Sequence, residues 1–132
     1  MKRIQSNQGF TLLEMTVVLS VLLTLLGTGL FVSKQFGNWQ RGRAAAEELR
    51  TVYAAQRLYL SDNPTALVTS ITTAQIIPYL PNKATAMPTV KSLTGATLSI
   101  RVNVNPPNIN NGSGGVYDPS GSTTDSLWDV GL

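Results

Sequence analysis

The sequence predicts an α+β fold: a long N-terminal helical spine whose outer half packs under a small antiparallel sheet, giving a lollipop-like outline. Three observations carry this expectation. From Met15 to Ser33 nineteen residues run without a charge, no proline interrupts residues 10–61, and a period-two pattern appears only late, over residues 96–105. The chain has 132 residues, enough for one compact domain beside such an anchor. Hydrophobic residues make up 42% and charged residues 13%, with the apolar ones gathered towards the N-terminus.

Residues 1–9, MKRIQSNQG, read as a polar leader. Lys2 and Arg3 should hold it on the cytoplasmic side and leave the C-terminal bulk outside the cytoplasm. Residues 10–33 follow as the apolar half of a helix, and the uncharged run is long enough to span a bilayer. Three uses of such a segment compete: a removable secretory signal, a permanent anchor, or an anchor that later becomes a filament core. A secretory signal has a shorter apolar stretch with a small-residue cleavage site just beyond it, whereas Ala44–Ala46 lie past Lys34, Arg41 and Arg43. A plain anchor leaves Glu14 unexplained, because a charge at mid-bilayer costs about 2.5–3.5 kcal/mol and less near a helix end. An amine freed ahead of Phe10 on one subunit supplies a partner for Glu14 on its neighbour. Such a buried pair fixes axial register more than it adds stability.

The run Gly9-Phe10-Thr11-Leu12-Leu13-Glu14 resembles the prepilin peptidase site of type IV pilins and type II secretion pseudopilins. The resemblance implies cleavage between Gly9 and Phe10, N-methylation of Phe10, and a role for Glu14 in assembly. It further implies a pilin-like lollipop, an inner-membrane precursor of single-pass topology, and prepilin peptidase with a pilus or secretion assembly platform as partners. The end state is a homo-oligomeric filament, either a periplasmic pseudopilus or an extracellular pilus. The chain departs from many members in having no proline before Pro64 and no cysteine for a C-terminal disulfide. Gly27 and Gly29 sit where a bend would fall; each costs about 1 kcal/mol in a helix interior, so they mark either a hinge or a close helix–helix approach.

Residues 34–61 continue the helix as an amphipathic half, with Leu49, Val52, Tyr53 and Leu60 on one stripe. At about 1.5 Å per residue the whole helix reaches roughly 75 Å. Asp62-Asn63-Pro64 stops it. In residues 62–132 a short helix is expected over 72–80, with Thr72 and Gln75 forming a capping box and Pro78 limiting its length. The clearest strand is 96–105, closed by Pro106-Pro107, and further strands are expected near 115–118 and 126–131. Trp128 is read as a core aromatic, and the Asn111-Gly112-Ser113 triplet as a turn rather than a glycosylation site.

The chemistry of the side chains excludes more than it offers. With no cysteine and no histidine there is no disulfide, thiol nucleophile, Cys/His zinc site or Ser-His-Asp triad, and scattered aspartates do not make an active site. No enzyme and no cofactor are expected. The one metal alternative is a structural calcium loop using Asp118 and Asp125, with Asp129 as a third acid, although Asp118-Pro119-Ser120-Gly121 also has the residue order of a type I turn. Net charge is +3, and losing Lys2 and Arg3 from ten basic side chains leaves eight against seven acids, or +1. Lys34, Arg41, Arg43, Arg50 and Arg57 mix with Glu47 and Glu48 as on a solvated helix face, so nucleic acid is not expected as a partner. The alternative function, a low-copy tip subunit gripping DNA or a surface, would have only Lys83, Lys91 and Arg101 beyond Arg57 to work with.

Overall fold

The computed structural model describes residue 9 and residues 11–131. It is α+β: one long helix, α1 (Leu12–Asp62), and a three-stranded antiparallel sheet in the order β1-β2-β3. Between them lies a short helix, α2 (Thr73–Ile76); the strands are β1 (Thr89–Lys91), β2 (Thr97–Arg101) and β3 (Asn108–Ile109). The chain divides into two compact units, the first ending at Phe36 and the second running from Gly37, so α1 contributes to both.

In the first unit the residues of α1 from Leu12 to Phe36 are exposed. The start of the helix is set by a capping box: the Glu14 amide donates to the Thr11 hydroxyl, and the Thr11 amide donates to the Glu14 carboxylate, each at 3.2 Å. Hydroxyls along the helix are then absorbed by its own backbone. Thr16, Ser20, Thr24 and Thr28 donate to the carbonyls of Leu12, Thr16, Ser20 and Thr24, so polar side chains sit in an apolar helix without stranded donors.

In the second unit, α1 buries Gly42, Ala45, Ala46, Leu49, Val52, Ala55 and Gln56. Leu49 and Val52 of the expected stripe are fully buried, whereas Tyr53 and Leu60 are half-buried at its margin. The core they enter is completed by Ile71, Ile76, Val90, Ile100, Ile109 and Trp128. Gly42 is the point of closest approach to the C-terminal segment: a Cβ there would stand 2.9 Å from Trp128 Nε1 and 3.3 Å from Leu127. The Trp128 amide donates to the Gly42 carbonyl at 3.1 Å.

Several elements differ from the sequence expectation, each for a physical reason. The helix expected over 72–80 is α2 followed by a 3₁₀ turn at Ile77–Tyr79, because Pro78 has no amide for a longer ladder. The box at its start is formed, with the Thr72 amide donating to Gln75 Oε1 at 2.9 Å. The strand expected over 96–105 ends at Arg101, since the carbonyls of Val102 and Val104 are taken by the buried Gln56 side chain at 2.7 and 2.8 Å. Residues 126–131 form no strand: Ser126 and Trp128 have φ of 61° and 65°, a left-handed backbone that no strand accommodates. The strand expected at 115–118 reduces to one bridge, Val116 with Asn110. The short strands β1 and β3 are too brief to show alternation in the sequence.

Candidate functional site

Glu14 occupies the third position of α1, one turn from the point where the helix begins. Its carboxylate is exposed and faces its own capping threonine, which places it at the end of the spine and not in the middle of the apolar run. The helix dipole and the free amides of the first turn favour an anion there, so Glu14 is tolerated even in an apolar setting. Thr11 is the residue that sequence reading passed over; the spacing Thr-x-x-Glu was the available signal.

Gly9 is exposed, and a Cβ on it would meet nothing within 4 Å. Lys2, Arg3 and Phe10, expected to orient the leader and to become the methylated N-terminus, lie outside the described residues. Between Glu14 and Lys34 the helix carries no charge, and its large apolar residues Val17, Leu22, Leu26, Leu30 and Phe31 are all exposed. Helix α1 is long and apolar enough to cross a membrane, its most apolar 18-residue window having a mean hydropathy of 2.3 with nothing buried. An exposed, charge-free and largely apolar helix belongs in lipid or inside an assembly. Gly27 and Gly29 lie within this uninterrupted helix, and neither would bring a Cβ within 4 Å of another group.

The second unit contains the acids of the C-terminal loop. Asp118 Oδ1 accepts from the Ser120 amide and hydroxyl, and Asp125 Oδ1 accepts from the Leu127 amide at 3.0 Å, so both carboxylates organise turns. Asp129 differs, because both its oxygens are buried without a protein donor. Burial pushes its pKa up, reinforced by a hydrogen bond to Asp125 that exists only when a proton lies between the two carboxyls. The same bond, together with the Leu127 amide, holds Asp125 below the usual carboxylate range against the upward push of burial. Among the described residues no three acidic side chains converge on a point where a metal ion could be held.

The comparison with protein families gives one result: residues 4–30 match the prokaryotic N-terminal methylation motif. No curated protein and no solved structure matches the chain. The matched segment is the class III signal peptide of type IV pilins and pseudopilins. The match supports a type IV pilin-like precursor, the apolar helix fits a membrane-anchored one, and the motif implies processing by prepilin peptidase. The motif's family is structural and not enzymatic.

Proposed function

We propose that the chain is the structural subunit of a type IV pilus-like or type II secretion pseudopilus filament, cleaved between Gly9 and Phe10 and N-methylated at Phe10. The observation that carries this reading is the first part of α1, an exposed, charge-free and largely apolar helix from Met15 to Ser33 with one acid at its start. In the precursor, lipid covers that surface. After cleavage, copies of the same helix replace the lipid, and Glu14 accepts the new Phe10 amine of a neighbour in a dry, low-dielectric core.

The capping box makes this exchange inexpensive. Glu14 is held at the helix start by Thr11 before any partner arrives, so little side-chain freedom is lost on pairing. The second unit, with a core of its own, provides the surface that such a filament presents.

The test is electron microscopy of sheared cells with mass spectrometry of the purified fibres. The expected result is fibres made of this chain, whose N-terminal peptide starts at a singly methylated Phe10. Fibres whose subunits still start at Met1, or which are cut elsewhere, would remove the reading.

A further inference from the structure

Two arginines of α1 are stacked on aromatic rings four positions before them. The Arg43 guanidinium lies 5.4 Å from the Trp39 ring centre, and that of Arg57 lies 5.8 Å from the Tyr53 ring centre. The other two arginines of this stretch are committed inside the second unit: Arg41 Nη1 donates to the Leu93 carbonyl at 2.7 Å, and Arg50 Nε to the Val130 carbonyl at 3.2 Å. Among the described residues Arg43 and Arg57 make no such bond. Stacking occupies only the face of a guanidinium and leaves its in-plane N–H groups to donate. Gly42 is buried under the C-terminal segment, but Arg43 beside it is exposed, and Trp39 is 47% exposed.

What separates the two stacked pairs is their distance from the apolar run. The run ends at Ser33, and α1 continues unbroken through Trp39 and Arg43 to Asp62. At about 1.5 Å per residue, position 39 of a membrane-bound helix lies roughly 9 Å past the hydrocarbon core and position 57 roughly 36 Å. Helical side chains lean towards the N-terminus, here the bilayer side, so the Trp39 ring and the Arg43 guanidinium over it return to the headgroup layer. Tyr53 and Arg57 stay in water.

We infer that Trp39 and Arg43 form a binding site for a phospholipid headgroup where α1 leaves the membrane, the guanidinium donating to the lipid phosphate and the indole lying at the acyl boundary. The ligand follows from the donor set. An arginine fork matches a phosphate bidentately, and the ring that braces Arg43 reduces the freedom lost on binding. Free phosphate would leave the indole uncovered, whereas a lipid supplies phosphate and apolar surface together. The inference rests on the membrane-anchored reading, and the contact belongs to the state before assembly, being given up when lipid is exchanged for other copies.

The experiment reconstitutes the full chain into vesicles of phosphatidylethanolamine and phosphatidylglycerol containing nitroxide lipids, labelled either at the headgroup or near the acyl-chain end. Trp39 fluorescence is the difference between wild type and Trp39→Phe. The headgroup label should quench it about threefold more than the deep label. Phosphatidylglycerol retained on extraction into detergent, counted by native mass spectrometry, should fall about fivefold in Arg43→Gln and stay within about twofold of wild type in Arg57→Gln. Deep quenching that equals or exceeds headgroup quenching would overturn the site. So would equal lipid loss from the two arginine variants, or retention by Arg43→Gln within about twofold of wild type. A wild-type chain that fails to float with the vesicles would remove the membrane-anchored reading itself, and the site with it.

Discussion

Glu14 and Thr11 act as a pair, and their substitutions should separate two effects. Glu14→Gln keeps an oxygen for the Thr11 amide but loses the charge, so the precursor should still be cleaved while filaments fall to a small fraction of wild type, measured as sheared fibre per membrane-bound subunit. Normal fibre yield from that variant would show that charge pairing is not needed. Thr11→Val removes a hydroxyl acceptor and costs about 1 kcal/mol of helix-start stability, a milder loss that should leave fibres present.

Asp129 gives a pH-dependent prediction. Its folded-state pKa is raised, so the folded chain binds that proton more tightly than the unfolded chain. Stability from this group is complete below its unfolded pKa, near 3.9, and is lost as pH rises through the higher folded value. Asp129→Asn can donate to Asp125 at every pH. Thermal melts of the full chain in detergent between acid and neutral pH should therefore show the variant gaining on wild type as pH rises. A constant difference would assign the orphaned oxygens some other partner.

At the scale of elements, Gly42 and Gln56 join the C-terminal segment and the 102–104 backbone to the part of α1 within the second unit. Gly42→Val would press methyl groups into Trp128 and Leu127 and should destabilise the unit by about 1–3 kcal/mol, read as a fall in denaturation midpoint. Gln56→Leu would leave the Val102 and Val104 carbonyls without their donor in a buried site, at about 1–3 kcal/mol, although it also removes the unpartnered Oε1. Gly27 and Gly29 behave differently. Neither is required by packing within one chain, so Gly27→Ala with Gly29→Ala should leave the precursor unaffected or stiffen its helix. If the pair forms a hinge in fibres, the substitution should restore continuous helical density there; if it forms a close helix approach, it should lower fibre yield instead.

For the whole molecule, the chain by itself determined the long apolar helix, the acid near its start and the α+β class, because each depends on local spacing or composition. A charge-free run and an unbroken 51-residue helix need no distant contact to be recognised, and the Thr-x-x-Glu cap that sequence reading passed over is equally local. Tertiary structure alone decided the rest. The 126–131 segment is expected as a short strand, yet it is pinned to Gly42 with left-handed residues at Ser126 and Trp128. The 96–105 run is cut at Arg101 because a glutamine 46 positions away from Val102 claims that carbonyl. Burial of the Asp129 carboxylate beside Asp125 likewise depends on which surfaces the fold brings together. Periodicity records which face a segment would bury, whereas the partner that satisfies its backbone lies far along the chain and leaves no mark on neighbouring residues.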